Sequence, residues 1–422
     1  MRLANISEET MISAYPRYKK NSEFYDNRII EVVKGFITYY GREDVRIFSA
    51  PGRTEIGGNH TDHQHGCVLA AAVDMDIVAA ALPNGTNVIR VLSEGFAEDA
   101  VDISDLSVKE DEKNTSASLI RGVAARLTEL GHPVGGFDMY AVSNVLKGSG
   151  LSSSAAYEVL LGTVMNGLFC DGALPPVEIA KIGQYAENVY FGKMCGLMDE
   201  TASAVGGIVA IDFHDNANPI VQKLDFDFKD SGYALCIVDS GADHADLSDQ
   251  YSAMPMEMRQ VAAMLGIPVL RDADEAEFIK RIAEIRKEVG DRAVFRALHF
   301  FRENRRAQEE ARLLEAGKFD EFLHMVNESG LSSLMYLQNV SVEGSVKDQE
   351  VLYALALCDI LLEGKGAFRV HGGGLAGTVQ AFVPQEMVGE FVEGIENMLC
   401  KGACHVISIR MAGGVELTEE VK

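Results

Sequence analysis

Gly148-Ser149-Gly150-Leu151-Ser152-Ser153-Ser154-Ala155-Ala156 separates a β-rich run, Phe137 to Val145, from a long apolar run with helical spacing. Glycines permit positive φ and let the backbone approach a ligand closely. A helix starting among the serines aims unpaired N–H groups and a partial positive charge into the loop, which suits phosphate. Serine hydroxyls there can cap the helix or ligate magnesium. The stretch lacks the Gly-Lys-Ser/Thr ending of a Walker A loop and the third glycine of a dinucleotide fingerprint. Alone, it reads equally as a phosphate cradle or as a helix cap with flexible glycines.

Two further glycine-bearing segments flank it. Upstream lies Ala50-Pro51-Gly52-Arg53-Thr54-Glu55-Ile56-Gly57-Gly58-Asn59-His60-Thr61-Asp62-His63-Gln64-His65-Gly66. A guanidinium, amides, imidazoles and carboxylates converge in it, a mix able to pair the hydroxyls of a polyol. His60, Asp62, His63 and His65 also invite a metal reading, but the loop offers no helical i, i+4 frame for a zinc site. A solvated surface loop is the plain alternative. Downstream, Arg369-Val370-His371-Gly372-Gly373-Gly374-Leu375-Ala376-Gly377 implies tight backbone packing, a ligand-facing turn or a simple connection between strands.

Around these motifs the pattern predicts an α+β fold. Short β-rich runs occur at Val45–Ser49, Val68–Val73, Ile77–Leu82 and Val88–Leu92, then at Gly207–Ile211, Tyr233–Val238, Val379–Val383 and His405–Ile409. Helical spacing marks Ala117–Leu130, the run after Gly150, the segment opening at Pro175-Pro176, most of Gln250–Leu362, and Gln385–Cys400. A boundary falls between Asp212 and Asp230, dividing the chain into residues 1–215 and 216–422.

Composition narrows the function. The 422 residues carry 38 Lys+Arg against 63 Asp+Glu, a net charge of −25, with 47% apolar residues. This acidity argues against nucleic acid and anionic membranes as partners. The most apolar stretch, Gly66 to Pro83, is interrupted by Asp74 and Asp76 and does not read as a membrane span. Seven cysteines, mostly inside apolar runs, suit a reducing compartment; Cys400, Cys404 and His405 lack the second pair of a zinc clip. No apolar signal-peptide core opens the chain. A cytoplasmic enzyme, monomeric or weakly dimeric, is expected.

In this order, the three segments resemble the GHMP small-molecule kinases, and among them the galactokinases. Pro51 to Asp62 is similar to their Pro-Gly-Arg…Gly-Glu-His-Thr-Asp signature, Gly148 to Ala155 to their Gly-x-Gly-Leu-Ser-Ser-Ser-Ala loop, and His371 to Gly377 to a relaxed form of their Thr-Gly-Gly-Gly-Phe-Gly-Gly turn. Glu187-Asn188 and Cys195-Gly196-Leu197-Met198-Asp199 are similar to their Glu-Asn…Cys-Gly-Ile-Met-Asp. The resemblance implies two domains with the active site in the cleft between them: an N-terminal half like the second domain of ribosomal protein S5 and a ferredoxin-like C-terminal half. It implies ATP-dependent phosphorylation of a sugar's anomeric hydroxyl, with D-galactose as the sugar, ATP and Mg2+ as the other participants. It carries Asp199 and Arg53 over as the catalytic pair. Gly148, Ser149, Gly150, Leu151, Ser152, Ser153 and Ser154 become the ATP loop, and Ser154 and Glu187 the magnesium ligands. Asn59, His60, Thr61, Asp62 and Tyr251 fall on the sugar side.

The departures also cluster on the sugar side. Asn59 stands where the family has a glutamate, Glu55 where it has an asparagine, and His63 where it has a tyrosine. Tyr251-Ser252-Ala253-Met254-Pro255 lacks the two arginines of the related stretch. Two alternatives follow. One is a 1-kinase for a related sugar such as galacturonate, whose carboxylate an amide at 59 would tolerate. The other is a non-catalytic galactokinase-like sugar sensor.

Overall fold

The computed structural model describes residues 6–146, 150–242 and 247–418. Its first sheet is built on a long hairpin, β1 (Arg46–Gly57) and β2 (Cys67–Pro83). To it are added β3 (Val88–Ser93), β4 (Asp99–Asp102), β5 (Phe137–Ser143), β6 (Ile208–Asp212) and β7 (Ile220–Lys223). The second sheet comprises β8 (Tyr233–Asp239), β9 (Ala367–Val370), β10 (Thr378–Pro384) and β11 (Cys404–Ile407) in the order β11-β8-β10-β9, antiparallel throughout. The chain then returns, and β12 (Val415–Glu416) pairs with β1. Among the described residues, only β3 and β5 of the first sheet run parallel. The α+β expectation holds.

The two runs expected at Val68–Val73 and Ile77–Leu82 are one continuous strand, β2, spanning the two aspartates. It is apolar on both sides because both faces are covered. Alternation sends Val78 and Ala80 to one core, against Tyr15, Tyr25, Ile29 and Phe36, and Ala79 and Ala81 to the other, with Ile120, Val159 and Leu160. The first of these cores rests on helices Glu8–Ala14 and Ser22–Tyr40, which the motif reading did not anticipate. Tyr25, Ile29, Val32, Val33 and Phe36 follow helical spacing.

The region read as helical from 250 to 362 resolves into Ser248–Met264, Glu275–Val289, Asp291–Glu315, Phe319–Ser332 and Glu350–Leu362. Glu350–Leu362 and Val388–Met398 pack on the outer face of the second sheet. Among the described residues no helix is long and apolar enough to cross a membrane.

Asp76 explains how an acid tolerates the middle of β2. Its carboxylate is fully buried, and accepts hydrogen bonds from Arg28, from Arg410 at 2.9 Å, from the Tyr15 hydroxyl at 2.9 Å and from Ser49 at 2.5 Å. Burial alone would raise its pKa, yet the two guanidinium groups outweigh that and hold it below the ordinary range. One carboxylate thereby joins the N-terminal helices, the first sheet and the returning C-terminal segment. Asp76→Ala leaves two buried cations without their shared partner. We expect a loss of about 3–5 kcal/mol in urea unfolding; an unchanged midpoint would refute this account of Asp76.

Candidate active site

Arg53 is the residue on which the site is assembled. Pro51 withholds a ladder donor in β1, and the register against β2 shifts between Pro51 and Arg53. Gly52 lets this irregular stretch touch the serine loop, since a Cβ there would lie 2.7 Å from the Leu151 carbonyl oxygen. The Arg53 N–H donates to the same carbonyl at 2.9 Å. Its side chain then forms a two-pronged contact with Asp199: Nε to Oδ1 and Nη2 to Oδ2, both 2.6 Å, while Nη1 donates to the Gly150 carbonyl. Arg53 is almost fully buried, and the Asp199 side chain retains 29% exposure at the start of helix Met198–Val205. The pair expected from sequence is therefore in contact, with its carboxylate open to solvent.

Beside it lies the loop joining β1 to β2. His60 sits at φ 59°, and its Nε2–H donates to the Gly373 carbonyl at 3.0 Å. That bond leaves Nδ1 as the lone-pair nitrogen, buried and without a partner. Burial first, then the neighbouring His63, holds the imidazole pKa down to about 4, so the ring is neutral at physiological pH. Asp62 reaches the segment that leads to Asp199, with Oδ2 only 2.6 Å from where a Cβ on Gly196 would stand. Glycine at 196 is what allows that approach.

Asn59 and Thr61, both expected at the sugar, are instead fully buried and spent inside the protein. Asn59 Nδ2 donates to Glu55 Oε1 at 3.0 Å and to the Gly372 carbonyl at 2.6 Å; its Oδ1 accepts from Asn339 at 2.9 Å and Ser333 at 3.4 Å. Thr61 donates toward the carbonyls of Gly58 and Cys67. Tyr251 donates to the Gly374 carbonyl at 2.6 Å. Three successive carbonyls of the glycine turn are thus taken by Asn59, His60 and Tyr251. Gly374, at φ 74°, has no room for a side chain, because a Cβ would fall 2.1 Å from the Asn339 carbonyl oxygen.

Of the serine loop, Gly148 and Ser149 lie outside the described residues. Gly150 and Ser152 adopt left-handed backbone, φ 71° and 53°, and Leu151 is buried. Helix Ser153–Phe169 begins directly after, with Ser154 in its first turn. Next to the loop is a cavity of about 420 Å³, lined by Ile77, Phe96, Val142, Val145, Ser153 and Tyr157 among others. The sequence offers no signal for it, because its walls come from β2, β5, the β3–β4 turn and the helix. Glu187 is buried, with Lys193 Nζ 3.5 Å away. Nearby Glu158 and Glu200 are also buried and were not singled out from sequence.

A model described as the galactokinase galactose-binding signature matches residues 34–83, and one described as the GHMP kinases N terminal domain matches residues 118–207. A galactokinase of Glaesserella parasuis serovar 5 (strain SH0165) is 30% identical over 364 residues, covering 84% of this chain and 89% of its own length. A galactokinase of Streptomyces coelicolor is 29% identical over 364 residues, 86% of this chain and 90% of its own. Among solved structures, Lactococcus lactis galactokinase complexed with galactose superposes with a TM-score of 0.78 at 22% identity, covering 92% of this chain and 99% of that one. Methanococcus jannaschii mevalonate kinase gives 0.61 at 15% identity, covering 87% and 99%.

The loop is held from beneath by helix Asp291–Glu315. Glu303 accepts from the N–H groups of Gly58 at 3.2 Å and Asn59 at 3.4 Å, and from Ser329 at 2.6 Å; His299 Nε2–H donates to the Asn59 carbonyl at 2.9 Å. Burial opposes ionisation of Glu303, but Arg306, His299 and Arg369 bring its pKa down to about 2. Glu310, two turns on, has neither carboxyl oxygen bonded. Burial, then the charge of Glu303, pushes it well above the carboxylate range. Folded Glu310 therefore holds a proton that the unfolded chain releases, and stability falls as pH rises above the ordinary Glu value. Glu310→Gln should raise the melting temperature at pH 8, by the equivalent of roughly 1–3 kcal/mol, and change it little near pH 4.5. An equal effect at both pH values, or a loss at pH 8, would contradict this.

Proposed function

This chain belongs to the galactokinase family of GHMP kinases, and from that premise we propose that it uses ATP to phosphorylate the anomeric hydroxyl of D-galactose. The observation that carries the residue-level reading is the Arg53–Asp199 contact, poised between the serine loop and the His60–Asp62 loop. In this reading Asp199 accepts the proton of the anomeric hydroxyl as its oxygen bonds to the γ-phosphorus and the bond to the β-phosphate oxygen breaks, releasing ADP. Arg53 orients that carboxylate and places positive charge beside the phosphoryl group in transfer.

His60 and Asp62 are the residues we assign to sugar hydroxyls. The unpartnered Nδ1 of a neutral His60 accepts a hydroxyl hydrogen, and Asp62 accepts others. Asn59, Thr61 and Tyr251 position the loop and its supporting turn rather than touch substrate. Gly148 to Ser154 cradle the phosphates, with the start of helix Ser153–Phe169 supplying N–H groups. The apolar cavity beside Ser153 takes the adenine, with Phe96 and Tyr157 as its aromatic walls.

Ser154 and Glu187 fit a magnesium ion by donor type. Both offer hard oxygens, and the buried Glu187 carboxylate has Lys193 as a cationic neighbour. Bound with ATP, the ion would neutralise charge on the phosphates. The same reading divides the chain near residues 215 and 216, in the connection between β6 and β7, with β7 and β12 completing the first sheet.

The galacturonate alternative rests on an uncharged residue at 59 that would tolerate a carboxylate, but Asn59 is buried with every hydrogen-bonding position taken, and a carboxylate, Glu55, lies beside it. No observation among the described residues favours the sensor alternative. The test is an ADP-release assay over hexoses, uronic acids, pentoses and N-acetylhexosamines. Galactose should turn over at least tenfold faster than galacturonate; background rates on galactose, or galacturonate as the better substrate, would overturn the assignment.

A further inference from the structure

We propose that the groove between helices Asp291–Glu315 and Phe319–Ser332 is a binding site for a small phosphate monoester, separate from the kinase cleft. One wall is a face of the first helix, where Arg302, Arg305 and Arg306 follow i, i+3, i+4 spacing and line a cavity of about 530 Å³. The other wall is mostly apolar, with Met325 and Leu331 from the second helix and Met335 from the turn Ser333–Leu337. Leu331 and Met335 are 60% and 59% exposed. The cavity is the size of a small-molecule pocket. None of the described residues that line it comes from the serine loop or the His60–Asp62 loop.

The three guanidinium groups differ in what they already hold. Arg306 is the fixed one: its side chain is 9% exposed, and Nη1 donates to Glu303, the carboxylate beneath the sugar loop. Its Nε is buried and has no hydrogen-bond partner. Glu328 Oε2 stands 3.7 Å from that nitrogen, beyond hydrogen-bond length, and Glu328 also faces His324 at 3.3 Å. A buried N–H left unpaired is costly, and an oxyanion in the groove would pair it. Arg302 has no carboxylate partner among the described residues; it stacks 4.7 Å from the centre of the Tyr336 ring and donates to the Tyr336 hydroxyl at 2.7 Å. Arg305 pairs with Glu275, but both side chains are open to solvent, and such a pair exchanges readily for another anion. Glu309, also on the groove, is engaged by Arg312 at 2.8 Å.

Charge and surface together select the ligand. Guanidinium groups match the oxygens of a phosphate in pairs, and a dianion answers three of them better than a single carboxylate does. Inorganic phosphate would leave Met325, Leu331 and Met335 facing water, whereas an ester with an apolar body covers them. The chain as a whole carries −25 and repels anions, so retention of one depends on a local cluster of cations such as this.

The test uses phenyl phosphate, titrated into the full chain labelled at its methionine methyl groups for nuclear magnetic resonance, without nucleotide or sugar. The Met325 and Met335 signals, assigned through Met325→Leu and Met335→Leu, should shift and saturate, with affinity about tenfold weaker in both Arg302→Gln and Arg305→Gln. Phenol at the same concentration should leave them in place. Arg302 and Arg305 are exposed, so both variants should keep the parent's melting temperature. Were a variant unable to fold, the contrast between phenyl phosphate and phenol in the parent decides. These two methyl groups report on the groove alone, so phosphate bound at the serine loop does not mimic the result, and failure leaves the kinase reading standing. Signals unmoved at tens of millimolar phenyl phosphate, equal shifts from phenol, or undiminished affinity in both variants overturns the proposal.

Discussion

The two-pronged bond between Arg53 and Asp199 is the constraint from which the site is built. A planar guanidinium matched to a carboxylate fixes distance and orientation together, which a single hydrogen bond does not. Arg53 also holds the Gly150 carbonyl, and its own N–H holds Leu151. One residue thereby sets β1, the serine loop and helix Met198–Val205 in register. With Asp199 still 29% exposed, the contact is better understood as a device for orientation than as a source of stability. Its position depends on Pro51 and Gly52, which break the strand where the side chain must turn.

The substitutions on the sugar side look different once they are seen in contact. Asn59 and Glu55 are each a departure from the family pattern, and in the folded chain they are hydrogen-bonded to each other at 3.0 Å. The carboxylate and the amide have exchanged places. The negative charge missing at 59 is present four residues earlier, where it pairs with the buried Arg369. No charge is lost from the pocket's foundation, and the −25 of the whole chain remains mostly a matter of solvated surface. His60 Nδ1 is buried and unpartnered, and the sugar contacts we propose fall to it and to the Asp62 carboxylate.

Much of this was legible in the sequence because local chemistry carried it. Glycines at 52, 196 and 374 mark close approaches, Pro176 opens a helix at its first position, and alternating runs locate β3, β8 and β10 within a residue or two. Other features depend on residues far apart in the chain. Asn59 reads as a ligand in one dimension because nothing nearby shows that Asn339, Ser333 and Gly372 will saturate it. Glu303 and His299 sit on an amphipathic helix and look like ordinary polar positions until its buried face is seen to carry the loop. Helix Ser22–Tyr40 has regular apolar spacing but carries no motif, and the β2 face it covers lies some forty residues further along the chain.

The central claim is that this geometry delivers a phosphoryl group to one oxygen with Asp199 receiving its proton. Nuclear magnetic resonance of the product formed from ATP and galactose labelled at its anomeric carbon tests it directly, comparing the parent with Asp199→Asn at equal folded concentration. The account predicts phosphate on the anomeric oxygen alone in the parent, and a rate at least about a hundredfold lower in the variant. Phosphate on another hydroxyl, or an undiminished rate in Asp199→Asn, would contradict it.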